Sequence, residues 1–165
     1  MPRNYAATVG FAVALVVGSG LAAAETAPDE IVWGEYGDIP EPLTDQAGDP
    51  DAGRAIMSVG ALGNCVACHT NSEMYDDVPF HGTIAPELEG AGDRWEEAQL
   101  RGIIVDAKRM FPDSFMPGFY KVGPFTRPGV AFSGEAPQQP SDMKPILTAQ
   151  QVEDIVAYLM TLKYE

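Results

Sequence analysis

The clearest hydrophobic pattern lies near the end of the chain. Val152, Ile155, Val156 and Leu159 recur three and four residues apart, the spacing that lines one face of an α-helix. Thr148-Ala149-Gln150-Gln151 precedes them as a capping box, in which hydroxyl and amide each satisfy an orphaned N–H of the first turn. Leu147 before the cap and Val152 at the fourth helical position form a hydrophobic staple. A first helix is predicted from Asp49-Pro50 to about Val59. Asp49 can cap it, and Pro50 suits the first position, where no N–H is needed. Gly60 and Gly63 end it. A middle helix is predicted from Asp93 to Val105, with Trp95, Leu100, Ile103 and Ile104 apolar and Gly102 weakening it.

Other stretches lack a period. Residues 73–92 read as loop, punctuated by Pro79, Gly82, Pro86, Gly90 and Gly92. Residues 111–145 are irregular and rich in proline, glycine and aromatics. Residues 25–48 are acidic, with Pro28, Pro40 and Pro42, and predict an extended arm. The arm also carries Ile31, Trp33, Tyr36 and Ile39, too apolar for a simple leader. The expectation is that these residues meet a partner, because aromatics are enriched at interface cores; the alternative is packing on their own domain. There is no internal repeat. The class is all-α, a few helices with long Pro/Gly-rich loops.

The other apolar stretch is at the start. Residues 6–17 are apolar apart from Thr8 and Gly10, follow Arg3, and give way to Gly18-Ser19-Gly20 and then Ala22-Ala23-Ala24. That is the form of a secretory signal peptide, cleaved before Glu25. The run is too short and too broken to span a bilayer comfortably. The organisation expected is therefore a signal peptide over 1–24, an arm over 25–48 and one domain over 49–165, in the periplasm. Removing residues 1–24 takes Arg3 and no acid, so the net charge moves from −14 to −15. Such a chain is repelled by nucleic acid and by anionic membrane surfaces, and suits a locally basic partner.

Chemistry concentrates in Cys65-Val66-Ala67-Cys68-His69. C-x-x-C-H is the attachment signature of a c-type haem. Two thiols reach the two vinyl groups of one porphyrin, and the adjacent histidine offers an imidazole nitrogen to the iron. The chain has two cysteines and two histidines in all. A zinc site would want a second Cys/His pair, and a redox dithiol would want a βαβ setting; neither is present. One covalent haem c is expected, with the irregular residues 111–145 wrapped over it.

A low-spin electron-transfer haem closes its other iron face with Met or His. Met116, in Met116-Pro117-Gly118-Phe119-Tyr120, is the leading candidate: it lies well downstream, and the adjacent proline restricts the loop. Met110 and Met143 compete with it. Met57 and Met160 read as helix core, Met74 is too close to the motif, and His81 reads as a loop histidine.

The order Gly63 to His69, then Gly82-Thr83-Ile84-Ala85-Pro86-Glu87-Leu88, then Met116 to Tyr120, then the final helix, resembles a class I cytochrome c. More narrowly, the chain resembles the SoxX family, the small monohaem subunits of thiosulfate-oxidising SoxAX cytochromes. The narrower resemblance rests on Ile39-Pro40-Glu41-Pro42-Leu43-Thr44, on the Met116 loop followed by Arg127 and Val130-Ala131-Phe132, and on Pro145 to Asp154. It implies His69 and Met116 as the axial pair and Cys65 and Cys68 as thioether anchors. It implies that the Pro86 carbonyl accepts a hydrogen bond from the His69 ring, and that Gly53 and Tyr158 mark a close helix crossing.

As partners it implies a SoxA-type haem subunit, the SoxYZ carrier protein transiently, and a downstream acceptor cytochrome. The function implied is acceptance of electrons released when thiosulfate is coupled oxidatively to the carrier cysteine, the bond-forming chemistry lying in SoxA. This chain has no thiol left to act as nucleophile once both cysteines are used. A free-standing periplasmic electron carrier is the alternative, and Met116 argues against an open-iron haem enzyme. Lys121 and Arg127 are candidates for flanking the haem edge.

Overall fold

The computed structural model describes residues 24–123 and 143–164. Residues 1–23, which make up all but the last residue of the expected signal peptide, and Arg127 and Val130-Ala131-Phe132 lie outside the described residues. Among the described residues four α-helices follow one another: α1 over Pro50–Ser58, α2 over Ala91–Arg94, α3 over Glu97–Asp106 and α4 over Ala149–Thr161. Short 3₁₀ turns cover Cys65–Ala67, Ser72–Met74 and Ala107–Arg109. Among the described residues the only β-type pairing is an isolated bridge between Glu25 and Thr44. None of the described helices is long and apolar enough to cross a membrane.

The helix signals act as the local chemistry requires. The Asp49 carboxylate accepts from the N–H groups of Asp51 and Ala52, and α1 ends at Val59. Thr148 and Gln151 form the reciprocal capping box of α4, and Leu147 and Val152 beside it are both buried. The α4 residues Val152, Ile155, Val156 and Leu159 are all core.

The predicted middle helix is two pieces. α2 stops at Trp95, whose backbone is extended. α3 then starts afresh behind Glu96, which exchanges hydrogen bonds with Gln99. This second capping box lies inside the span predicted as one helix. The break turns Trp95 toward the central cavity and into edge contact with Phe111, ring centroids 5.9 Å apart.

α1 and α4 cross closely. A Cβ at Gly53 would overlap the backbone of Asp154, so only glycine allows the approach. The Asp49 N–H donates to Asp154 Oδ1 at 2.9 Å. Tyr158 lies one turn further along α4, where its hydroxyl accepts from Asn71 Nδ2 at 2.8 Å. Burial raises the pKa of that phenol, so it stays neutral. Asn71 is fully buried and also accepts from the N–H of Glu73. α4 is thus tied both to α1 and to the segment that leaves the C-x-x-C-H motif.

The arm departs from expectation. Ile39 and Leu43 are 2% and 1% exposed and belong to the domain's own core, with Ile31 and Trp33 packed against it. A buried ion pair locks them in. Arg101 on α3 meets Glu153 on α4 through two hydrogen bonds, Nε to Oε1 at 2.7 Å and Nη2 to Oε2 at 2.9 Å. Arg101 Nη1 donates to Ile39 O at 2.8 Å, and the Leu43 N–H donates to Glu153 Oε1 at 2.9 Å. Both charges are therefore paired and hydrogen-bonded, the condition under which buried ions are tolerated. The large apolar residues of the arm that face outward are Val32 and Tyr36. The apolar content that suggests a partner surface is largely intramolecular, tied to α3 through Arg101 and to α4 through Glu153.

Candidate functional site

Asn64, in the left-handed region at φ 48, turns the chain into the 3₁₀ turn Cys65–Ala67. The N–H groups of Cys68 and His69 both donate to Cys65 O, at 3.1 and 2.9 Å. One tight turn therefore sets both cysteines and the histidine along one wall.

A second segment is laced to this turn through its backbone. Gly82 N–H donates to Val66 O at 2.8 Å, Ala85 N–H to Cys68 O at 3.0 Å, and Leu88 N–H to Thr70 O at 3.0 Å. The approach requires glycine at 82, since a Cβ there would overlap Ala67 O. The lacing delivers Pro86 O to 2.6 Å from His69 Nδ1. A carbonyl only accepts, so Nδ1 carries the proton and Nε2 keeps its lone pair. That is the tautomer a metal-binding histidine needs, with its orientation fixed from behind.

Cys65, Cys68 and His69 open onto a cavity of about 650 Å³. Its walls are mostly apolar and include Met57, Trp95, Leu100, Ile104, Phe119 and Leu159. The size is that of a cofactor site, and a few polar or sulfur groups converge on an apolar slot. Burial pushes the Cys65 thiol up to about 12, so the free thiol is neutral in this setting.

Met116 and Pro117 line the same cavity, on the loop that follows α3. The Met116 N–H donates to Ser114 Oγ at 3.2 Å, and Lys108 Nζ donates to Met116 O at 3.2 Å. Neither Met110 nor Met143 is among the cavity residues, and Met57 is the one other methionine that is. Met74 is buried in the core, and Met160 packs on the core from α4. His81 packs against Tyr75 with the rings tilted by 44° and centroids 4.7 Å apart, and accepts from the Asn71 N–H through Nδ1. Lys121 is paired with Asp106 and is not a free edge charge.

The residues present fit a c-type haem. Two thiols, one imidazole of the correct tautomer and the thioethers of Met116 and Met57 line a single apolar slot of suitable volume. Pattern reading missed Phe111 and Phe115 of the lining, and also Lys108 and Ser114, which steady Met116. Aromatic enrichment in residues 111–119 was the available signal for the first two. A lone lysine and a lone serine carry none.

The cytochrome c family model matches residues 50–163, and the chain belongs to that family. Its cofactor is one covalently held haem c, for which Cys65 and Cys68 have the spacing. No curated protein matches. Among solved structures, a chain of the crystal structure of SoxXA from P. pantotrophus is 56% identical, with a TM-score of 0.79 over 85% of this chain and 99% of that one. The narrower resemblance to SoxX is borne out by this match.

Proposed function

We propose that this chain is the electron-transfer subunit of a SoxAX-type cytochrome, paired with a SoxA-type haem subunit in the periplasm. It accepts electrons released when thiosulfate is joined oxidatively to the cysteine of a SoxYZ carrier, and passes them to a downstream cytochrome. The observation that carries this reading is the 56% identity to a chain of SoxXA over 85% of this chain; that His69 and Met116 share one cavity with both cysteines supports the electron-transfer role.

Bound haem supplies a one-electron iron couple. The protein does the rest. Cys65 and Cys68 would anchor the ring, and Pro86 O holds His69 by Nδ1, leaving the Nε2 lone pair available to the iron. Met116, on the opposite loop of the same cavity, would supply a thioether to the iron and so leave no open site for substrate. The apolar walls exclude water, and burial with ligand choice sets the potential. No cysteine is left to attack sulfur, so bond formation falls to the partner.

Size-exclusion of native protein from cells grown on thiosulfate tests the reading. Co-elution with a larger haem-staining chain is expected. Elution alone, as a single small haem protein, would support a free-standing carrier instead.

A further inference from the structure

A helix leaves its last carbonyls without partners inside the helix. At the end of α3, two of them are taken by the returning Met116 loop. Phe119 N–H donates to Ile104 O at 3.1 Å, and Tyr120 N–H to Val105 O at 3.4 Å, the latter near the limit of a hydrogen bond. The same helix end is the negative pole of α3. Asp106 stands there, 8% exposed. Lys121, directly after the two residues that cap the helix, sets Nζ 2.6 Å from Asp106 Oδ2. The connection is charge-assisted and largely shielded, and so stronger than either backbone bond.

Between Met116 and Lys121 the chain runs tight against the helix end. A Cβ at Gly118 would lie 3.0 Å from Val105 O and 3.3 Å from Asp106 Oδ1. The Lys121–Asp106 pair ties this end of the loop to α3, beside the bonds of the Tyr120 hydroxyl to Thr26 O at 2.8 Å and of the Leu147 N–H to Phe119 O at 3.0 Å.

We propose that the Lys121–Asp106 ion pair latches the Met116 loop onto the end of α3, and so sets how readily an outside nitrogen ligand displaces Met116 from the iron. The inference rests on Met116 being that ligand. Lys121 and Asp106 are positioning residues: they act through the loop and touch neither substrate nor metal. The two ends of the latch are unequal. Lys121→Ala leaves a buried carboxylate unpaired at the negative pole. Asp106→Asn leaves only a neutral amide and frees the amine to water. Removing both should therefore be milder than removing Lys121 alone.

The test is an imidazole titration of the oxidised holoprotein, following loss of the methionine–iron charge-transfer band, with thermal melting measured in parallel. Apparent affinity scales with the fraction of molecules whose loop is open. Lys121→Ala should bind imidazole about tenfold more tightly and Asp106→Asn about threefold, with the double variant near the latter. Arg54→Ala, which breaks the exposed pair with Asp77, should leave the affinity unchanged. If Lys121→Ala does not fold, Lys121→Gln and Asp106→Asn carry the comparison. Lower melting with unchanged imidazole affinity would mean that the pair serves stability alone, and the latch is wrong; so would no change in either. Met116→Ala separates the two layers of the argument. Retention of the band in that variant refutes Met116 as ligand and the latch with it. Loss of the band there, with unchanged affinity in Lys121→Ala, refutes the latch alone.

Discussion

The two walls of the cavity are built differently. The histidine wall is held by main-chain hydrogen bonds between segments close in sequence: Cys65 to His69 on itself, and Gly82 to Leu88 alongside it. Pro86 O, which orients His69, is itself a backbone atom. The methionine wall is held by a helix end and by side chains: Ile104 and Val105 carbonyls, Ser114, Lys108 and the Asp106–Lys121 pair. A backbone lattice tolerates most side-chain changes and fails only where space is violated. A side-chain lattice can be loosened one residue at a time. The first suits a permanent attachment, and the second suits a ligand whose hold is tuned.

The severest way to break this arrangement is to remove what both walls enclose. Cys65→Ala with Cys68→Ala should abolish covalent haem and leave an apolar slot of about 650 Å³ with nothing to fill it. Unfilled apolar volume on this scale costs more than a small domain's net stability. Haem staining on a denaturing gel should be lost, and circular dichroism should show no cooperative melt. A folded apo-protein would contradict this.

Next in size is the arm. Deleting residues 25–46 removes Ile39 and Leu43 from the core and leaves Arg101 and Glu153 short of two hydrogen bonds. Melting of the holoprotein should fall sharply. Leu43→Ala alone should cost about 2–5 kcal/mol in denaturant unfolding. Unchanged melting after the deletion would return the arm to the role of a partner surface.

Gly82→Ala probes the histidine wall by space alone, since its Cβ would overlap Ala67 O. A cost of about 1–3 kcal/mol is expected, with a reduced yield of haem-loaded protein. Met116→Ala should have the smallest effect on the fold and the clearest one on the metal. Covalent haem should persist, the methionine–iron band should vanish, and the reduction potential should fall, because Met/His ligation raises it. Redox titration measures the last point, and an unchanged potential would argue against Met116.

The same contrast explains what could be read in advance. Thr148 with Gln151, Asp49 with Pro50, and Cys65 to His69 are short-range signals, each interpretable within a few residues, and the structure shows the corresponding turns and caps. Leu43 was named only as part of the Ile39–Thr44 stretch, and nothing local marks it as core. Its burial depends on Arg101 and Glu153, far along the chain. Gly102 reads as a weak point in a helix. A Cβ there would overlap Gly37 O, so the residue is where the arm crosses α3. Lys108 and Lys121 look like ordinary solvated charges until the loop brings them to Met116 O and Asp106.

The Arg101–Glu153 pair has a consequence for the order of events in making the protein. A chain that emerges N-terminus first presents Leu43, Gly53 and Arg101 long before Glu153 and Asp154. Until α4 is available, Arg101 lacks its carboxylate, the Leu43 N–H lacks its acceptor, and Gly53 has no backbone to meet. The pairings that close the fold span most of the sequence, so they form only once α4 has been made. A chain ending before Ala149 should be unfolded rather than partly folded. The same delay keeps the polypeptide threadable, able to pass a narrow channel at full extension and to lock only when its last helix arrives.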